Sequence, residues 1–160
     1  MTIFTAMPTD DAKRYWAGEP DAYGRTPETM VSSGGGMPCR HCLSHIAEGE
    51  DLLVLAYRPF PTLQPYAETG PIFLHAKPCP RYSAEDVTPP ILATSPDYIV
   101  RGYGGDDRIV YGTGAVTAAD QIHARATELF DREDIAYLHV RSARNNCYQC
   151  RIDRKAFTIS

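Results

Sequence analysis

Nine of the thirteen prolines in this 160-residue chain fall between Pro59 and Pro96. Proline fixes its own φ, donates no backbone hydrogen bond and breaks a helix interior. That stretch is therefore closed to long helices and is expected to run as extended loop around one short strand, Ile72 to Ala76 (IFLHA). Regular structure has to come from the segments on either side of it.

Upstream, Leu52 to Arg58 (LLVLAYR) reads as a buried strand announced by a turn at Gly49. Downstream, Tyr98–Tyr103 and Arg108–Tyr111 flank Gly104-Gly105-Asp106-Asp107, a hairpin signal. Thr117 and Asp120 have capping-box spacing, and Ile122, Ala126, Leu129 and Phe130 then share one face of a helix ending near Asp131. Ala136 to Ser142 predicts a strand with Tyr137, His139 and Arg141 on one face and Leu138 and Val140 on the other. Asn145-Asn146 turns it into a last strand, Cys147 to Asp153. The segment from Ile109 through the helix to Val140 has the length of a parallel crossover. The expectation is an α+β fold, mostly antiparallel or mixed, with one main helix over about 118–131 and a proline-rich middle. Residues 1–37, with a short helical stretch at Asp10–Trp16 and a Ser32–Gly36 run of serine and glycine, read as a loosely organised lead-in to a single domain over 38–160.

Charge and hydropathy exclude some classes of function. The net charge is -4, and the longest apolar run, Leu52 to Tyr57, is far too short to cross a bilayer. The first twenty residues carry Asp10, Asp11 and Glu19 with no apolar stretch of signal-peptide length, so a soluble cytoplasmic protein is expected. Arginines outnumber lysines 13 to 3, and Arg141, Arg144, Arg151, Arg154 and Lys155 crowd the C-terminus. On an acidic chain that cluster reads as a solvated hairpin face in preference to a nucleic-acid surface. The partner and the oligomeric state have no signature. Gly112-Thr113-Gly114 lacks the third glycine of a dinucleotide loop and reads as a turn.

The cysteines carry most of the chemistry. Five thiols, an odd number, do not make a disulfide framework, and cytoplasmic thiols stay reduced. Four of them form two CxxC pairs, Cys39-Arg40-His41-Cys42 and Cys147-Tyr148-Gln149-Cys150. Two such pairs are a usual source of a closed tetrahedral zinc shell, so Cys39, Cys42, Cys147 and Cys150 are the candidate ligands of a structural zinc. The site would close a loop of 104 intervening residues, 43–146, and the protein would serve as a binding or interaction module. Two features oppose this reading. Residues three apart on a regular strand face opposite sides. Leu43 and Arg151 also follow the second cysteines, where a tight thiolate turn favours glycine. A second arrangement uses His41, Cys42, His45, His75 and Cys79. Cys42 or Cys79 beside His41, His45 or His75 would make a thiol- or metal-dependent enzyme. A third is a metal-free packing domain whose cysteines are incidental core atoms.

The runs PCRHCL (38–43), PYAETGPIFLHA (65–76), DYIVRGYG (97–104), DRIVYGTG (107–114) and HVRSARNNCYQCRIDR (139–154) resemble the bacterial domain-of-unknown-function family 1203. The resemblance spans about Pro38 to Arg154 and implies a small stand-alone bacterial protein. It carries no agreed activity, substrate or catalytic residue.

Overall fold

Alternation of apolar and polar side chains builds two antiparallel sheets in the computed structural model, which describes residues 2–155. The larger sheet contains β1 (Thr2–Thr5), β8 (Tyr148–Arg154), β7 (Tyr137–Ser142), β5 (Asp97–Tyr103) and β6 (Ala115–Ala118), in that spatial order. The smaller contains β2 (Glu28–Val31), β3 (Asp51–Tyr57) and β4 (Gly70–His75). Helix α1 spans Thr9–Trp16, and α2 (Ile122–Leu129) continues a short 3₁₀ turn over Ala119–Gln121. The result is the expected α+β class with one main helix. Strands β6 and β7 both pair antiparallel with β5 from opposite sides. They therefore run parallel to each other with α2 between them, which is the crossover the sequence suggested, without a parallel ladder. No described helix is long and apolar enough to cross a membrane.

The two faces of the larger sheet differ in chemistry. Leu138 and Val140 on β7, Val100 on β5, and Cys150 and Ile152 on β8 pack with Ile122, Ala126 and Leu129 of α2 in an apolar core. Each such buried aliphatic side chain contributes about 1.5–3 kcal/mol. The opposite face is aromatic and cationic. His139 is fully buried there, with the rings of Phe60, Tyr103, Tyr137 and Tyr148 at 4.7–5.3 Å. Neither of its ring nitrogens has a hydrogen-bond partner among the described residues. Burial, reinforced by Arg141, Arg151 and Arg101, holds its pKa well below the ordinary value, so the imidazole is neutral.

Several local expectations are corrected. Of the expected loose lead-in over 1–37, residues 2–37 carry three elements: β1 adds to the edge of the larger sheet beside β8, β2 pairs with β3, and α1 buries Ala12 and Tyr15. Residues 156–160 of the expected 38–160 domain lie outside the described residues. The hairpin after β5 does not return at 108–111, where only a Tyr103–Ile109 bridge forms. The returning strand is β6, six residues later in the chain than Ile109, because the turn at Gly104–Asp107 and the buried Thr113 intervene. No side chain caps α2, and Thr117 sits in β6, donating to the Ala115 carbonyl.

The C-terminal cations all have partners within the chain. Arg141 is 4 % exposed and shares the Glu68 carboxylate with Arg101. Arg144 pairs with Asp97, Arg151 with Asp153 and Lys155 with Glu85. Arg154 donates to the carbonyls of Phe130, Arg132 and Ile135 just beyond α2, where a cation complements the helix C-terminus.

A candidate metal centre at the Pro38–Ser44 turn and the end of β4

The Pro38–Ser44 turn is built around a residue in an unusual conformation. Leu43 has φ 55° and is fully buried, so a left-handed residue follows Cys42 even though glycine is absent. Packing of the isobutyl group offsets the backbone cost. Two backbone bonds close the turn, Leu43 N–H to the Cys39 carbonyl at 2.9 Å and Cys39 N–H to the Ser44 carbonyl at 2.9 Å. Arg40 N–H donates to the Phe73 carbonyl at 3.1 Å, and Cys39 bridges Phe73 in parallel. The turn is thus laid along β4, which ends at His75. Beyond β4, Pro78 and Pro80 bracket Cys79 and restrict it to extended conformations.

These elements bring four ligand atoms together. The sulfurs of Cys39, Cys42 and Cys79 and a ring nitrogen of His75 lie within 4.8 Å of one another. Cys39 is buried and the other three are partly buried. Tetrahedral bonds of about 2.3 Å to sulfur and about 2.0 Å to nitrogen give edges of about 3.8 Å between sulfurs and about 3.5 Å between sulfur and nitrogen. Two edges are close to those lengths: Cys39 Sγ to Cys79 Sγ is 3.8 Å, and Cys42 Sγ to His75 Nδ1 is 3.5 Å.

Neighbours of the group hold the imidazoles in compatible tautomers. With Nδ1 of His75 turned to the sulfurs, its Nε2–H faces Glu50 Oε2 at 3.5 Å. This is the carboxylate–histidine arrangement that orients metal-ligating imidazoles. Trp16 Nε1–H donates to the His75 carbonyl at 2.8 Å, and the His75 amide points to Cys39 Sγ at 3.4 Å. His41 lies 3.3 Å from Cys79 Sγ through Nδ1 and 2.9 Å from Thr9 Oγ1 through Nε2. Burial lowers its pKa, so one ring nitrogen donates and the other accepts. Nδ1–H toward the sulfur with Nε2 accepting from Thr9 satisfies both contacts.

The three thiols do not ionise alike. Hydrogen bonds from the Cys42 and Cys79 thiols, joined by the backbone amides of Cys42 and His75, hold Cys39 far below the ordinary thiol range. Cys42 is pushed up to about 11 by its bond to Cys39, and Cys79 is pushed up by Cys39 and then by Cys42. Without a cation the group therefore carries one negative charge shared over three sulfurs. A dication removes that limit, because a metal-bound thiol is deprotonated.

The second CxxC pair stands outside this group. Cys150 is fully buried on β8, opposite Val140 in the apolar core, and burial raises its thiol to about 12. Cys147 precedes β8 and directs its thiol at the Asn145 carbonyl, 3.7 Å away. The two thiols thus point to different surroundings, one to the Asn145 carbonyl before β8 and one into the core. Among the five candidate residues of the mixed Cys/His arrangement, Cys42, His75 and Cys79 converge, and His41 joins as a neighbour. His45 stays apart, with neither ring nitrogen partnered among the described residues. Sequence reading missed the combination, placing Cys39 with the distant pair and His75 and Cys79 in a separate arrangement. The available signal was HAKPC at the end of a strand, where a turn brackets a thiol close to an imidazole.

Arg40 ties the turn to the larger sheet. It is 2 % exposed, and it donates from Nε to the Tyr148 carbonyl at 2.7 Å and from Nη1 to the Pro38 carbonyl at 2.5 Å. Burial lowers its pKa to about 10, which leaves it charged at neutral pH.

Comparison with curated proteins and with solved structures returned no match. A family model matches residues 36–154, a span that contains the Pro38–Ser44 turn, His75, Cys79 and every strand from β3 to β8. The chain belongs to the DUF1203 family, described as a protein of unknown function.

Proposed function

We propose that Cys39, Cys42, His75 and Cys79 hold one zinc ion as a structural clip, and that the protein is a metal-stabilised binding module. The observation that carries this reading is the pair of ligand separations, 3.8 and 3.5 Å, which are close to the edges of a thiolate–imidazole tetrahedron. The Glu50 carboxylate 3.5 Å from His75 Nε2 and the hydrogen bond of His41 toward Cys79 supply the outer support such centres need. Three sulfurs and one nitrogen fill all four positions, so no site is left for the water or substrate of a catalytic zinc. The clip would join the Pro38–Ser44 turn to the end of β4 and to the Pro78–Pro80 segment beyond it. Elemental analysis tests it: protein purified without added metal is expected to retain about one zinc per chain, and Cys79→Ser and His75→Ala to lose most of it. Wild-type protein that contains no zinc and binds none on reconstitution ends the proposal.

A second reading rests on one contact. His41 lies 3.3 Å from Cys79, with Thr9 behind it, an arrangement resembling a thiol with an imidazole base. It is the weaker of the two, because Cys39 and Cys42 hold the proton on Cys79, and a reactive thiol needs the opposite shift. Iodoacetamide labelling separates them. Fast, selective alkylation of Cys79 in zinc-loaded protein favours the enzyme, and protection of Cys79 favours the clip.

A further inference from the structure

A cavity of about 300 Å³ opens beside Arg40. Arg40, His45, Ser95, Asn145, Cys147 and Gln149 line its polar side, and Phe73, Ile91 and Tyr98 supply an apolar wall. None of its described lining residues is acidic. It shares no residue with the cluster of Cys39, Cys42, His75 and Cys79.

Three features of the lining point the same way. Arg40 is almost wholly buried, yet only its Nε and Nη1 donate to described residues, and both acceptors are backbone carbonyls. The groups acting on it electrostatically are the thiols of Cys147, Cys39 and Cys150 and the phenol of Tyr148, with no carboxylate among them. The ionised Cys39 acts on this guanidinium, but no carboxylate lies in the cavity lining and Nη2 has no described acceptor, so an external anion is its natural complement there. His45 is neutral, lowered by burial and by Arg40, and has no partner at either ring nitrogen among the described residues. Gln149 is 5 % exposed and uses its amide only toward the Cys147 carbonyl.

We infer that this cavity binds a small organic anion, its carboxylate or phosphate group held by Arg40 Nη2, His45 and the amides of Asn145 and Gln149, and its body against Phe73, Ile91 and Tyr98. The volume suits a molecule of metabolite size. Because the lining lies outside the thiol cluster, this inference stands or falls apart from the zinc proposal.

The test uses full-length protein in zinc-containing buffer, with orthophosphate and benzoate as probes against chloride at equal ionic strength. Binding is followed by the NMR signals of the His45 ring and the Gln149 and Asn145 side-chain amides. Saturable shifts with at least one probe are expected at all three residues, and the tighter probe identifies the headgroup. Gln149→Glu keeps the shape but places a carboxylate beside Arg40, so it should weaken binding at least tenfold while the variant stays folded. Arg40→Met should abolish binding, but it also removes the contact to Tyr148, so Gln149→Glu and the wild-type titration carry the test. Absence of saturable shifts with both probes, or unchanged affinity in Gln149→Glu, overturns the inference.

Discussion

Replacing His139 with phenylalanine should flatten the dependence of stability on pH. His139 is fully buried among four rings, with no partner at either nitrogen and three arginines acting on it. Its folded pKa lies well below 6.5, so below pH 6.5 the unfolded chain takes up a proton that the folded protein refuses. The sign is fixed: stability is full above about pH 6.5 and falls as pH drops, until the folded pKa is reached. With an unfolded pKa of about 6.5, the loss is under about 0.1 kcal/mol at pH 7.5 and about 1.4 kcal/mol at pH 5.5. The expected difference between the two pH values is thus about 1.4 kcal/mol from this one residue. Phenylalanine keeps the ring and gives up no hydrogen bond, so His139→Phe should lie within about 1.5 kcal/mol of wild type at pH 7.5. Urea titrations of both proteins at pH 7.5 and 5.5 and equal zinc concentration measure it. Carboxylates and the other histidines titrate alike in the two proteins and cancel. If the stability gap between wild type and His139→Phe is the same at both pH values, His139 is not a neutral buried imidazole, and the aromatic box is wrongly described.

The two cysteines outside the cluster should respond differently to serine. Cys150→Ser strands a hydroxyl in the apolar core and should cost about 1–3 kcal/mol by urea denaturation, with zinc content unchanged. Cys147→Ser should change stability by less than about 0.5 kcal/mol and leave zinc content alone. Zinc binding should release about two protons near pH 7, because Cys39 is already ionised while Cys42 and Cys79 are not. Calorimetry in buffers of different ionisation enthalpy counts them, and affinity should fall as pH falls. Gly102→Ala should destabilise by about 1–3 kcal/mol, since a Cβ there would sit 3.0 Å from Thr113 Oγ1 and 3.1 Å from Ile135 Cδ1. Its Tm, measured by circular dichroism, should drop accordingly.

Local pattern carried most of the element assignment, and long-range packing supplied what it lacked. The alternation in YLHVRS placed Leu138 and Val140 against α2 and His139 on the other face without reference to any partner strand. The prolines kept helices out of 59–89, where only β4 and short turns form. β1 and β2 escaped because TIFT and ETMV are short, and each becomes a strand only through pairing, with β8 and β3. The same limit governs the site. Both CxxC spacings are local, but whether their thiols meet depends on which face of which strand they occupy. Cys147 lies just before β8 with its thiol at the Asn145 carbonyl, whereas Cys150 lies within β8 in the apolar core. Cys39 and Cys42 sit on a turn lying against β4, which puts them beside His75 and Cys79. Leu43 illustrates why composition misleads at such turns: burial of its side chain stabilises a left-handed backbone that the absence of glycine argued against.

X-ray absorption at the zinc edge of the purified protein tests the proposed centre most directly. Three sulfurs at about 2.3 Å and one nitrogen at about 2.0 Å are predicted. A four-sulfur shell, or one dominated by oxygen and nitrogen, would contradict the assignment of Cys39, Cys42, His75 and Cys79 as the ligands.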